Sequence, residues 1–362
     1  MRYVHHLATR VRPQISESGW YAMAVTILDV ARIAGTSTAT VSQAMNSPSR
    51  VATKTRRRVL AAVKKLKYHP SRAARALVTG KTYAVGLVVP GFVHPFFAEV
   101  AQGLSKVLRR ENYCLLTSSS EEDPRLERQE IERLLGWGVD VIIVASTQHT
   151  VESFRLIEEN NIPYVLIDRC FLGLPANFVG VDDVAVGYLA TQHLVSVGCR
   201  RVAHIGGPDT SVGIRRLEGY NQALAANDLQ PFSGYIVRAR TGDVQTYRTA
   251  AESMSKLLRL NPPPDGVFCF NDPLAIGAID TIQRAGLRVP GDIAVIGCGN
   301  LPYDRSLCVP LSSIDQQTAA IGERAAKLAL LLTRDRTPPR PKSIIIKARV
   351  IQRASTQRKP GC

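Results

Sequence analysis

From Tyr83 onward the chain repeats one unit, a short β-branched and aliphatic run followed by a stretch whose apolar residues recur at helical spacing. The runs read AVGLVVP, YCLLTSS, VDVIIVAS, IPYVLID, FVGVD, RRVAHIGG, GVFCFND and DIAVIGC, with helical stretches such as 95–111 and 213–227 between them. Strands that are apolar along their whole length are covered on both faces, and strands joined through a helix run parallel. The pattern therefore specifies α/β architecture, a parallel doubly wound sheet. Because the runs form two comparable sets, two subdomains facing one another across a cleft are expected.

Such sheets host many enzymes, yet the catalytic signatures in this chain are incomplete or missing. VIGCGN supplies Gly297 and Gly299 but neither the third glycine nor the helix start of a dinucleotide turn, and HIGGPDTSVG has the wrong spacing. Walker loop, nucleophile elbow, metal-binding His pair and kinase signature are all missing from the sequence, so no catalytic residue, cofactor or metal is expected. The cysteines at 114, 170, 199, 269, 298, 308 and 362 are scattered without metal-site or redox-motif spacing, which predicts reduced, buried thiols in a cytoplasmic protein. No apolar run reaches the eighteen or so residues of a membrane span. Residues 1–22 lack periodicity and lack the apolar core of a signal peptide; Met23 is expected to be the translational start, with 1–24 an extension or disordered.

The net charge of +16 is concentrated. Arg32, Arg50, Lys54, Arg56, Arg57, Arg58, Lys64, Lys65, Lys67, Arg72, Arg75 and Lys81 face Asp29 alone between Thr26 and Thr82, roughly eleven of the sixteen net charges. The same stretch encodes three short helices. Thr26 and Asp29 form a capping-box pattern ahead of Ile27, Val30, Ala31 and Ala34; Gly35 allows a tight exit, and Ser37 can cap a second helix whose inner face is Val41, Ala44 and Met45. A third helix carries Val59, Ala62, Val63 and Leu66 and is expected to stop at Pro70. None is long enough to be stable alone, so the apolar stripes must share one miniature core: an N-terminal all-α helix-turn-helix headpiece, residues 25–70, beside the two sheet subdomains. A basic unit of this kind presents its second helix to the major groove of double-stranded DNA.

VTILDVARIAGTSTATVSQAMN, followed by SRVATKTRRRVLAAVKKLKYHPSRAARALVTGKT, resembles the headpiece of the lac repressor (LacI/GalR) family of bacterial transcription regulators. The resemblance implies that Thr38, Ala39 and Gln43 read bases, that Thr26 and Ser42 position the helix, and that Thr40, Asn46 and Arg50 complete the contact surface. Ala39 offers a methyl group suited to thymine, and Gln43 can pair with adenine. Ala52 departs from the family's usual capping Ser, leaving Thr53 to substitute or the helix end to fray. Residues 71–82 match the hinge helix, with Arg72 and Arg75 on phosphates and Leu77 wedged into the minor groove. So short a helix is expected to order only on DNA.

HPFFAEVAQGL, VLIDR, VGVDDVAVGYLATQHLVSVGCRRVAHIGGP, RRLEGYNQAL, FCFNDPLAIGA, GLRVPGDIAVIG and PLSSIDQ extend the resemblance through residue 356. It implies a periplasmic-binding-protein-like effector and dimerisation domain over 83–356, its N-subdomain at about 83–181 and 314–343, its C-subdomain at about 182–313 and 344–356, and a tail at 357–362. Positions matching effector contacts are Phe96, Phe97, Asp168, Arg169, Arg216, Asn271, Asp272, Asn300 and Gln316, a set suited to a sugar. Gly299 stands where the family usually has an Asp, and Val244 where some sugar-responsive members have an aromatic; Arg169 and Arg216 beside Asp168 favour a sugar acid or other anion. The implied protein is a homodimer on a pseudopalindromic operator, hence cytoplasmic and nucleoid-associated, without the leucine heptads that make some relatives tetramers. A ligand-insensitive architectural DNA-binding protein is the rival, suggested by Gly299.

Overall fold

The computed structural model describes residues 25–46, 48–69, 76, 80–148, 152–171, 175–239, 246–334 and 340–358. The chain divides into two units, 1–80 and 81–362. Within the first, α1 (Ile27–Ala34), α2 (Thr38–Asn46) and α3 (Thr53–Leu66) pack around Val30, Ala31, Ala34, Val41, Ala44, Val59 and Ala62. The capping box forms in both directions: the Thr26 hydroxyl accepts from the Asp29 N–H at 3.4 Å, and the Asp29 carboxylate accepts from the Thr26 N–H at 3.0 Å. Gly35 takes φ 57°, the left-handed exit. Ser37 Oγ accepts from the Thr40 N–H at 3.1 Å and caps α2.

The third helix differs from expectation at both ends. It starts on Ala52 with no side-chain cap, Thr53 supplying none, and it ends at Leu66 because Lys67 adopts φ 49°, ahead of Pro70. The expected hinge residues Arg72, Arg75 and Leu77, and the 1–24 extension, lie outside the described residues.

The second unit contains two six-stranded sheets. The first joins β1 (Ala84–Val89), β2 (Cys114–Ser119), β3 (Val141–Val144), β4 (Tyr164–Ile167), β5 (Phe178–Val181) and β11 (Ser343–Ile346) in the order β11-β5-β4-β3-β1-β2, all parallel. The second joins β6 (Val202–Gly206), β7 (Ile236–Arg238), β8 (Gly266–Cys269), β9 (Ala294–Cys298), β10 (Ser312–Asp315) and β12 (Arg349–Ile351) in the order β12-β10-β9-β8-β6-β7, with β12 alone antiparallel. The 2-1-3-4-5 strand order thus occurs twice, and the chain passes between sheets after Val181, after Asp315 and after Ile346. The expected breaks at 313/314 and 343/344 cut through β10 and β11. Both are short and Ser-bearing, and without their pairing partners they carry little strand signal.

Helices α4 (Pro95–Arg110), α5 (Pro124–Gly136), α6 (Glu152–Glu159) and α11 (Thr318–Leu332) lie with the first sheet; α7 (Asp183–Ser196), α8 (Ser211–Ala225), α9 (Thr246–Leu258) and α10 (Asp272–Arg284) lie with the second. Two crossings have backbone against backbone. A Cβ on Gly103 would strike the Ala319 carbonyl where α4 meets α11, and one on Gly187 would strike the Arg216 carbonyl where α7 meets α8. Cys199, Cys269 and Cys298 are buried as expected, whereas Cys114 and Cys170 are half-buried and Cys308 is exposed on the loop before β10. Val244 lies outside the described residues.

An unoccupied cap position predicts a gain. Ala52→Ser should protect the first-turn amides of α3 against hydrogen exchange by about 1 kcal/mol; unchanged protection would show that Ala52 is no cap site.

Candidate functional site

On the first unit, Ala39 and Gln43 stand exposed one turn apart on α2, with Thr38, Thr40 and Ser42 half-buried beside them and Thr26 and Arg50 exposed. The backbone of Asn46 closes the same helix. Exposed Lys54, Arg56, Arg57, Lys64, Lys65 and Lys67 surround α3, and Arg58 donates to the Gly35 carbonyl at 3.2 Å, tying α3 to the end of α1. The second helix therefore offers short polar and methyl groups within a cationic surround, the composition of a base-reading face flanked by phosphate contacts.

In the second unit the carboxyl ends of the parallel strands of both subdomains converge on one cleft. It is lined by His94, Phe96, Phe97, Glu122, Asp168, Arg169, Val212, Arg216, Phe270, Asn271, Cys298 and Gln316. Strand ends supply these residues because the polypeptide turns there, with helix N-termini beside it. Phe96 and Phe97 open α4, buried and edge-to-face at 5.1 Å between ring centroids. Asp168 follows β4 in the left-handed region at φ 61°, a conformation uncommon for a side-chain-bearing residue and concentrated at functional sites. Burial raises its carboxyl pKa, against the pull of Arg169 and Arg216.

Both guanidiniums are already engaged. Arg169 grips Glu122 through two bonds of 2.7 and 2.8 Å. Arg216, 3 % exposed, donates to Asp183 Oδ1 at 2.9 Å and to the Phe270 carbonyl at 2.6 Å, and lies 4.6 Å over the Phe270 ring. Burial pushes the Asp183 pKa up to about 7, with the Arg216 guanidinium opposing that rise. Gln316 Oε1 accepts from the Cys298 thiol at 3.4 Å, while its Nε2 is buried without a partner. Burial raises the Cys298 pKa to about 12, so this thiol remains a donor.

Residues 26–71 match the family model of bacterial regulatory proteins of the lacI family, and 191–356 match a periplasmic binding protein-like domain. Over 305 residues the chain is 33% identical to the HTH-type transcriptional repressor PurR of Mannheimia succiniciproducens, covering 84% of this chain and 90% of that one. Over 336 residues it is 31% identical to PurR of Actinobacillus pleuropneumoniae, covering 92% and 98%. The chain belongs to the LacI family. It is a DNA-binding transcriptional repressor of that family and not an enzyme. Among solved structures, a lac repressor dimer bound to operator and the anti-inducer ONPF superposes with TM-score 0.81 at 24% identity, covering 92% of this chain and 99% of that one. A complex of the transcriptional regulator CelR with cellobiose gives 0.70 at 28%, covering 91% and 99%.

Two residues expected to hold the effector of this LacI-family repressor sit elsewhere. Asp272 is fully buried beneath the cleft, accepting from Ser313 Oγ at 2.6 Å and the Leu301 N–H at 3.2 Å. Its carboxylate fills the space that a side chain on Gly297 or Gly299 would need, which accounts for the glycine at 299. Asn300 binds Arg353 through Oδ1 at 2.6 Å and Ser313 through its N–H at 2.9 Å, both outside the cleft. His94, Glu122, Val212, Phe270 and Cys298 were not anticipated. The rule that ligands meet the carboxyl ends of parallel strands would have flagged Glu122, Phe270 and Cys298, each within three residues of a strand end.

The Asp304 carboxyl, also fully buried, faces that of Asp272. Burial first, then the Asp272 charge, pushes Asp304 up to about 9 from the ordinary 3.8. The folded chain keeps this proton where the unfolded chain has lost it, so the contribution to stability is complete below about pH 4 and drains away as pH rises toward 9. Asp304→Asn should melt with a shallower loss between about pH 5 and 9 than the wild type; parallel pH profiles would refute the shared proton.

Proposed function

We propose that this repressor's grip on its operator is governed by a small, uncharged sugar held between the two subdomains. The observation that carries the reading is the Gln316 amide, an unpartnered buried donor on the wall of a cleft that also presents the edge-to-face Phe96 and Phe97 rings and the Asp168 carboxylate. A buried N–H without an acceptor is costly, and a sugar oxygen relieves it. Phe96 or Phe97 would cover a C–H face of the ring, and Asp168 would accept a hydrogen bond from a hydroxyl.

The arginines argue for a sugar over a sugar acid. Arg169 and Arg216 are each bonded to a carboxylate, so an anionic effector would have to compete with Glu122 or Asp183, and would meet Asp168 as a like charge. The relative in complex with cellobiose supports a neutral carbohydrate. The effector need only bind one closure of the subdomains better than the other to shift the population of DNA-competent dimers. Two copies of the chain would present two headpieces to a pseudopalindromic site in the cytoplasm, with Thr38, Ala39 and Gln43 on base edges and Thr26, Thr40, Ser42, Asn46 and Arg50 around them. Arg72, Arg75 and Leu77 complete the DNA contact in this reading. The domain limits proposed are 25–80 for the DNA-binding region and 81–356 for the receptor.

Calorimetry with neutral monosaccharides and disaccharides, and with the corresponding aldonic and uronic acids, tests the effector. A neutral sugar should bind and shift operator affinity, the acids binding weaker by about tenfold or more; tighter binding of the acids, or of no carbohydrate, overturns the reading. On the DNA side, selection from random duplexes should return a half-site whose adenine preference at one position is lost in Gln43→Ala, at a cost of about 1–3 kcal/mol. Identical selected sites would remove Gln43 from base readout.

A further inference from the structure

We propose that His94 sets the hydrogen-bond polarity of the cleft: with Asn271 and Gln316 it forms an edge made only of donors, which selects an effector presenting bare acceptor oxygens there. This rests on the reading of the cleft as a sugar site.

A neutral imidazole carries one N–H and one bare nitrogen. His94 caps α4, and its Nδ1 accepts from the Phe96 N–H at 3.2 Å, which places the ring proton on Nε2. Asn271 is equally committed. Its Oδ1 caps α10 by accepting from the Leu274 N–H at 3.0 Å, so its NH₂ is the group that faces His94, with Nδ2 3.1 Å from Nε2 across the subdomain boundary. Donor therefore meets donor. The other tautomer only moves the conflict to the Phe96 N–H, and a second ring proton would add another donor. Burial, then Arg216 and Arg169, in any case lower the ring pKa to about 4.

Gln316 adds a third donor, its oxygen being occupied by the Cys298 thiol. The wall's acceptors are largely spoken for: Phe270 O by Arg216, and both Glu122 oxygens by Arg169. Asp168 Oδ2, 3.9 Å from Arg169 Nε, is placed to accept a hydrogen bond from a ligand hydroxyl. The complementary molecule is a neutral sugar whose ring, keto or glycosidic oxygen reaches His94 and Asn271 while a hydroxyl reaches Asp168. An oxygen inserted between the two subdomains accepts from both and converts a repulsive contact into a bridge.

The test uses the full-length chain and the tightest neutral sugar from the calorimetric panel, with its deoxy analogues. Asn and Asp are near-isosteric and both cap helices well, but Asn offers a donor and Asp offers none. His94→Asn should bind within about threefold of the wild type, and His94→Asp and Gln316→Glu should each lose about tenfold or more. Should His94→Asp fail to fold, as judged by its melting curve, Gln316→Glu carries the same test. Equal affinities for the Asn and Asp variants, or no loss in Gln316→Glu, overturn this proposal and leave the sugar site standing. A wild-type chain that binds no sugar overturns both.

Discussion

A guanidinium that cannot shed its proton has been placed in the interior of the receptor, and much of the cleft is arranged to hold it there. Arg216 is 3 % exposed and bonded to Asp183 and to the Phe270 carbonyl, with the Phe270 ring beneath it. Isolating such a charge would cost several kcal/mol, so each partner has its geometry imposed by the need to neutralise it. That need fixes the start of α7, where Asp183 sits, and the backbone after β8, where Phe270 lies. The Gly187 crossing, which brings α7 against the Arg216 carbonyl itself, sets the distance over which this happens.

The parts of the molecule legible in the sequence are those dictated by local chemistry. Thr26 and Asp29 announce a helix start because the bonds lie within one turn, and Val30, Ala34, Val41 and Val59 announce a core because a short helix has nowhere else to hide them. The uniformly apolar β1, β3 and β8 declare burial on two faces. Strands β7 and β12 are half-exposed three-residue edges, and no periodicity can develop over that length.

The site was legible by position more than by role. Asp168, Arg169, Asn271 and Gln316 do line the cleft because strand ends face it, and Arg216 reaches it from within α8. Asp272 follows Asn271 yet turns the other way, into space left by Gly297 and Gly299, and nothing short of the fold shows that one carboxylate fills the gap between two distant glycines. Arg169 misleads for a similar reason. Its partner Glu122 lies 47 residues earlier, so a charge that looks available in the sequence is already bound in the structure.

The passages between the sheets have a mechanical consequence. They leave from β5, β10 and β11, which lie at or next to one edge of their sheets, with β2 and β7 at the far edges. All three connections between the lobes therefore run along one side of the two sheets. Were the lobes to turn about these connections, Gln316, just beyond β10, would travel little, whereas Glu122, beyond β2 at the far edge, would travel furthest. A ligand reaching from one to the other would thus sense angle through its outer contacts while keeping its footing on the inner one.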